Sequence, residues 1–152
     1  MTDKSNEVVI VSAIRTPIGS YKGSLKDISS HQLGSIVIKE VLKKSKFAKD
    51  EIDEVIFGQV LTAGVGQNPA RQAAINAGIP ISKPAHVINQ VCGSGLRAVI
   101  SGYQSIKLGD SLNVISGGQE NMSIAPHSIF FRDQKKISED KLLDTMINDG
   151  LM

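Results

Sequence analysis

The amino-acid sequence predicts an α/β fold built on a mainly parallel sheet. Four short segments have the composition of strands, and they are residues 8–13, 55–60, 86–90 and 112–116. Between consecutive segments, apolar residues recur at helical spacing. Strands that alternate with helices in this way form βαβ units, whose strands lie parallel in one sheet. At 152 residues, the chain is long enough for one such domain with its own core.

The first predicted strand, residues 8–13, is a continuous apolar run rich in β-branched residues, which is typical of a strand buried on both faces. A helix is predicted over residues 30–44, where Ser29 or Ser30 could cap its start. Lysines 43, 44 and 46 gather at its end, where cations favour the helix dipole. This cluster fits a solvated helix end better than a nucleic-acid patch.

The second strand, residues 55–60, leads through Gly64 and Gly66 into a predicted helix. Asn68 is expected to cap this helix, with Pro69 in its first turn and Gly78 just past its end. The order strand, Gly-x-Gly, helix also invites a dinucleotide-binding interpretation. Pro69 stands where that fingerprint needs its third glycine, which argues against it.

The third strand, residues 86–90, runs into the only cysteine, Cys92, and then into a helix that ends near Leu108 with Gly109 as its stop. This helix is apolar nearly all round, so we expect it to be buried between layers. The fourth strand, residues 112–116, ends at Gly117 and Gly118. Beyond it, residues 119–152 contain no convincing strand and hint at one short helix over residues 139–147.

Composition and charge exclude several classes of protein. A net charge of +2 is too small to indicate nucleic acid or a membrane surface as partner. One cysteine rules out a disulfide framework and fits a reducing compartment. The polar start has no apolar signal region, and no apolar run approaches the roughly 20 residues of a membrane span. The expected location is the cytoplasm.

Cys92 is the candidate nucleophile. Gly93, Ser94 and Gly95 follow it, so its thiol is predicted at the first turn of a helix, where unpaired amides and the dipole favour the thiolate that attacks carbon. A lone cysteine is more commonly a small buried hydrophobe, but the glycine turn and the helix start favour a functional role. Parallel strands also collect ligands at their carboxyl ends. Four loops should share that edge, and they are residues 14–19, 61–67, 91–95 and 117–121.

The helix start alone is too weak an activator. A dipole contributes about 0.3–1 kcal/mol, or about 2 kcal/mol in a partly buried site. Most of a thiol near pH 7 would stay protonated, so a nearby base is expected. His86 lies about 20 Å upstream along the third strand, and His31 opens a helix. His127 could share the edge with Cys92, although a loop histidine is more often simply solvated.

Four ordered motifs resemble the thiolase family. They are VVIVSAIRTPIG at residues 8–19, GVGQNPARQA at residues 64–73, NQVCGSG at residues 89–95 and GGQENMS at residues 117–123. Within that family the chain is most similar to the acetyl-CoA acetyltransferases of the short-chain biosynthetic type. The resemblance implies the first βαβαβαβ half of a thiolase fold over residues 1–120. It also implies the beginning of a truncated loop domain over residues 121–152, with the C-terminal half absent.

The resemblance further implies a Claisen condensation of two acetyl-CoA molecules, or its thiolytic reverse. Cys92 matches the family's nucleophile, which carries the acetyl group as a thioester, and a backbone N–H at the start of its helix is expected to hold the thioester oxygen. No metal and no cofactor are implied, since coenzyme A is part of the substrate. A homodimer or homotetramer is implied for the full-length enzyme.

Thiolases are about two and a half times longer, and their later portion supplies the activating histidine, an asparagine, a second cysteine and most of the CoA-binding residues. We therefore expect this chain alone to be inactive, and the sequence assigns no substrate-binding residue. Two other hypotheses remain open. One is a half-fold that acts as a non-catalytic interaction module, and the other is a different acyl-thioester condensing enzyme, such as a ketoacyl synthase.

Overall fold

The computed structural model describes residues 7–132 and 142–152, and these form a parallel sheet covered by helices on both faces. The sheet strands are β1 (Glu54–Gly58), β2 (Ala85–Ile88) and β3 (Val114–Gly118). The α-helices are α1 (Ser30–Ser45), α2 (Pro69–Ala77) and α3 (Ser94–Leu108). A short pair of strands, β4 (His127–Ser128) and β5 (Leu143–Asp144), follows, and then a helical turn over Ile147–Leu151. No helix among these residues is both long enough and apolar enough to cross a membrane.

The three sheet strands lie in the order β2-β1-β3, and both neighbours run parallel to β1. Val55 is opposite Ala85 on one side and Ile115 on the other. The α/β class and the parallel arrangement are therefore confirmed. Because all three strands point the same way, their carboxyl ends meet at one edge of the sheet.

The faces of β1 carry different helices, as the twofold side-chain period of a strand requires. Val55 and Phe57 belong to the main core, together with residues from α1 and α2. That core consists of Ile38, Leu42, Ile52, Val55, Phe57, Ala70, Ala73, Ala74, Ala77, Ile79 and Ile115. Gly58 instead faces the start of α3. Helices α1 and α2 thus cover one face, and α3 covers the other.

The predicted helix caps are present. Ser29 caps α1, and its hydroxyl accepts the N–H of Gln32. Asn68 caps α2 by accepting the N–H of Arg71, with Pro69 in the first turn. Gly78 and Gly109 end α2 and α3 in the left-handed conformation. Each cap depends on residues within a few positions of it, so it forms regardless of how distant parts of the chain are arranged.

The first predicted strand is not formed. Residues 8–13 lie outside any strand, and Val9, Ile10 and Val11 are 63%, 79% and 62% exposed. A strand needs a neighbour for its backbone groups, and no described segment pairs with this run. The composition of residues 8–13 favours a buried strand, but a strand forms only where a second strand pairs with it, and composition does not determine that pairing.

Helix α3 is buried along one flank only. Ser94, Ala98 and Gly102 are its buried residues, and a Cβ on Gly102 would lie 3.1 Å from Val114 in β3. Leu96 and Tyr103 on the remaining surface are 69% and 50% exposed. The prediction of a helix covered on all sides was therefore wrong for this structure. The small residues give the close approach to the sheet, while the larger apolar residues face away from it.

The prediction that residues 119–152 contain no strand was also wrong. β4 and β5 pair antiparallel, with His127 opposite Asp144. The short helix expected over residues 139–147 lies partly outside the described residues, and the helical turn in the described part comes later, at Ile147–Leu151.

Candidate functional site

A cavity of about 420 Å³ opens at the carboxyl edge of the sheet and contains Cys92. Its lining comes from the loops that follow β1, β2 and β3, and from the last helical turn of the chain. The residues that line it are Gly58, Gln59, Val60, Leu61, Val91, Cys92, Ser94, Gly95, Gly118, Gln119, Glu120, Met122, Met146, Gly150 and Leu151. Three of the four predicted loops therefore meet. Residues 14–19 do not join them, because the run before that loop is not part of the sheet.

The turn that carries Cys92 is strained at the preceding residue. Val91 has φ +48°, a left-handed conformation that is costly for a β-branched side chain. Asn89 and Ser94 hold the turn from both sides. The Asn89 Oδ1 accepts the Val91 N–H at 3.0 Å, and the Ser94 Oγ accepts the Gln90 N–H at 2.9 Å. Cys92 itself is exposed, at the mouth of this turn.

Glycines let the start of α3 approach the ends of the strands. A Cβ on Gly58 would lie 2.3 Å from the Ser94 carbonyl carbon, so only glycine fits at the end of β1. A Cβ on Gly118 would lie 3.3 Å from both the Gly58 carbonyl oxygen and the Gly95 Cα. The close approach places the first turn of α3 against the cavity beside Cys92.

Polar side chains that were not predicted from the sequence form one wall of the cavity. The Glu120 carboxylate accepts the N–H groups of Val60 at 2.8 Å and of Leu61 at 3.3 Å. Burial raises the pKa of Glu120 above its ordinary value, although these two N–H bonds act in the opposite direction. Beside it, the Gln119 side chain donates to the Gln59 Oε1 at 2.9 Å, and both residues are buried.

One sequence signal could have found Glu120. It is the only Asp, Glu, Lys or Arg between Asp110 and Arg132, and it follows directly on a strand that ends in two glycines. An isolated charge at the carboxyl end of a buried strand is unusual and marks a group with specific partners.

No histidine lies among the described residues that line the cavity. His86 lies on β2 outside the cavity lining, and its Nδ1 is 3.1 Å from the Glu54 Oε1. His31 contacts the Ser29 hydroxyl at the start of α1, and His127 is exposed on β4. A histidine that could serve as base for the thiol is therefore not found in the described part of this cavity. The same part of the chain contains no cluster of three His, Cys, Asp or Glu side chains that could hold a metal ion.

Comparison with known proteins agrees with this architecture. Residues 8–152 match the family model for the thiolase N-terminal domain. A cytosolic acetyl-CoA acetyltransferase from Rattus norvegicus is 54% identical over 99% of this chain, and acetyl-CoA acetyltransferases from Paracoccus denitrificans and Cupriavidus necator are 52% and 54% identical over 95% of it. The chain spans only 37–38% of the length of these relatives. By its sequence match over residues 8–152, this chain belongs to the thiolase family.

Proposed function

We propose that this chain carries the nucleophile of an acetyl-CoA C-acetyltransferase, which condenses two acetyl-CoA molecules or runs the thiolytic reverse. The observation that carries the proposal is the position of Cys92, in a cavity at the carboxyl edge of a parallel sheet and beside the first turn of α3. The names of the relatives supply the substrate class.

The chemistry begins with attack of the Cys92 thiolate on the carbonyl carbon of acetyl-CoA. A bond forms between Sγ and that carbon, and the bond from the carbon to the coenzyme A sulfur breaks. The thiol gives its proton to water before the attack, and the departing coenzyme A thiolate takes up a proton from solvent. First-turn amides of α3 would stabilise the negative oxygen that develops in between.

Turnover by this chain alone is expected to be absent. Condensation requires a base that removes a proton from the methyl group of the second acetyl-CoA. Glu120 is the only Asp, Glu, His or Lys among the described residues that line the cavity, and both of its oxygens already accept backbone N–H bonds. We therefore expect acetylation of Cys92 without formation of acetoacetyl-CoA.

The test is to incubate the purified chain with acetyl-CoA and to analyse it by mass spectrometry. One acetyl group should accumulate on Cys92, be released by hydroxylamine and be missing from the Cys92→Ser variant. Absence of acetyl on Cys92, or the same amount on the variant, would overturn the proposal. Steady production of acetoacetyl-CoA would contradict the expected lack of turnover.

A domain division is proposed together with this function. Residues 1–120 would form the nucleophile domain and residues 121–152 the beginning of a loop domain. In support, the parallel sheet ends at Gly118, and the separate β4–β5 pair follows it. The cytosolic location in the name of one relative supports a cytoplasmic location. A homo-oligomer is proposed on the family resemblance alone.

Two alternative functions remain testable. Acetyl transfer from acyl carrier protein but not from CoA would indicate a different condensing enzyme. The exposed apolar surface of α3, with Leu96 at 69% exposure, favours an interaction module. In that case the Cys92→Ser variant would assemble in solution as the wild type does, and neither would become acetylated.

A further inference from the structure

A chain of hydrogen bonds connects the loop after β3 to the turn that carries Cys92. It begins at Glu120, whose two carboxylate oxygens bind two consecutive amides of the loop after β1, at 2.8 Å for Val60 and 3.3 Å for Leu61. Because each oxygen has its own N–H donor, the carboxylate fixes both the position and the orientation of this loop. Bonds from backbone N–H groups to a charged acceptor are stronger than those between neutral groups.

Asn89 continues the connection from the loop after β1. Its Nδ2 donates to the carbonyl oxygen of Val60 at 3.4 Å, and its Oδ1 accepts the N–H of Val91 at 3.0 Å. One side chain therefore ties the residue held by Glu120 to the residue that precedes Cys92.

Val91 needs such support because its backbone conformation is unfavourable. With φ at +48°, this β-branched residue is strained, and strain of this kind persists only where the surroundings hold it. If the turn relaxed, the Cys92 thiol would leave its place beside the first turn of α3.

We propose that Glu120 and Asn89 are positioning residues for Cys92, which hold the strained turn through the Val60 backbone. This inference rests on the proposed function in one respect, namely that Cys92 is the reacting group. The role of Glu120 is indirect, since it touches the loop after β1 and not the nucleophile.

Asp53 provides a matched control at the opposite end of the sheet. Its carboxylate also accepts two consecutive backbone amides, those of Leu112 at 2.9 Å and Asn113 at 3.0 Å. Asp53 is not among the residues that line the Cys92 cavity. Loss of either carboxylate should therefore destabilise the chain, but only loss of Glu120 should disturb the turn.

The experiment compares wild type, Glu120→Gln, Asn89→Ala and Asp53→Asn in the 152-residue chain. Amide hydrogen exchange is measured at Val91, and the rate of Cys92 alkylation by iodoacetamide is followed by mass spectrometry. Glu120→Gln should speed exchange at Val91, although the substituted side chain does not touch that amide. Asp53→Asn should speed exchange at Leu112 and leave Val91 and Cys92 as in the wild type.

Alkylation gives the second measurement, and Asn89→Ala carries the test if Glu120→Gln does not fold. Loss of the thiol's place at the helix start should slow alkylation at pH 7 about two- to fivefold in Glu120→Gln and Asn89→Ala, the factor that corresponds to about 0.3–1 kcal/mol. Near pH 10, where thiols are ionised, the difference should close. Among the described residues that line the cavity, Cys92 and Glu120 are the only ones with an ionisable side chain. Glu120 is replaced in the variant Glu120→Gln, so Cys92 is then the only such residue in this lining.

Three results would overturn the inference. The first is unchanged alkylation in Asn89→Ala. The second is an equal effect of Asp53→Asn on Cys92, which would show general destabilisation. The third is a rate difference that persists unchanged at pH 10. None of these measurements requires acetyl transfer, so the inference can fail while the proposed function stands, and the reverse also holds.

Discussion

Replacement of Gly58 by alanine should strongly destabilise the chain. The added methyl would lie 2.3 Å from the carbonyl carbon of Ser94, 2.4 Å from the amide nitrogen of Gly95 and 2.5 Å from the carbonyl oxygen of Ser94. Carbon atoms in favourable contact are about 3.5–4.0 Å apart. All three neighbours are backbone atoms at the start of α3, so no side-chain rotation can relieve the overlap.

The expected cost follows from the kind of neighbour. Overpacking a core costs about 1–3 kcal/mol when side chains can adjust. Here the whole start of α3 has to move away from β1, so we expect the upper end, about 3 kcal/mol. For a chain of this size, that loss lowers Tm by about 6–12 °C.

Thermal unfolding followed by circular dichroism tests this prediction, with Gly117→Ala as the matched control. Gly117 lies in the neighbouring strand β3, but a Cβ there would be 3.8 Å from the Phe57 ring, an ordinary contact. The control should melt close to the wild type, or slightly above it because alanine lowers the entropy of the unfolded chain. A Tm for Gly58→Ala within about 2 °C of the control would refute the steric reasoning.

Three further predictions concern stability. Asn68→Ala should cost about 1–2 kcal/mol in urea unfolding because it removes a helix cap, and Asn68→Gly should cost less because glycine accepts the φ of +41° at this position. Arg71→Lys should lower Tm nearly as much as Arg71→Ala, since one ammonium cannot reach both carbonyl oxygens, those of Lys83 and Ile81, that the guanidinium binds. Finally, Glu120→Gln and Asp53→Asn should change the pH dependence of Tm in different ranges, the first above about pH 4.5 and the second below about pH 3.8. Burial raises the pKa of Glu120, so the stability that comes from this raised pKa is lost as pH rises from about 4.5 through the pKa in the folded chain. Glu120→Gln should therefore make Tm less dependent on pH in that range. The backbone N–H groups of Leu112 and Asn113 lower the pKa of Asp53, so the stability that comes from this lowered pKa is lost as pH falls below about 3.8. Asp53→Asn should make Tm less dependent on pH in that range.

The local parts of this fold were predictable from sequence. Asn68, Pro69 and Gly78 define α2 because a cap, a first turn and a left-handed stop depend on neighbours within a few residues. Gly109 ends α3 for the same reason. The turn at Cys92 also belongs to this group, since Asn89 and Ser94 are close to it in sequence.

Features that depend on distant partners were not predictable in the same way. Residues 8–13 have the composition of a buried strand, yet Ile10 is 79% exposed because no described strand pairs with the run. Leu96 and Tyr103 are likewise apolar and exposed on α3. Apolar periodicity states which side chains favour burial, but not which other segment covers them.

The same limit explains why Glu120 was missed. Its bond partner Val60 is 60 residues away along the chain, and the buried pair Gln59 and Gln119 spans the same separation. A parallel sheet brings such residues together only once the order β2-β1-β3 is known. Before that, nothing but the isolation of its charge marked Glu120.

Positioning and activation of the thiol are therefore separate properties in this chain. Positioning is built from short contacts: the bonds around Val91, the hydroxyl of Ser94 and the glycines that admit α3 to the sheet. Activation needs a group that takes the thiol proton, and a helix start that contributes about 0.3–1 kcal/mol does not replace it. The hydrogen bonds of Glu120 go to the amides of Val60 and Leu61, and among the described residues none joins it to the Cys92 thiol. A thiol that is well placed but lacks a base should react once with an activated acyl group and then stop, and this is why single acetylation, not turnover, is the decisive measurement.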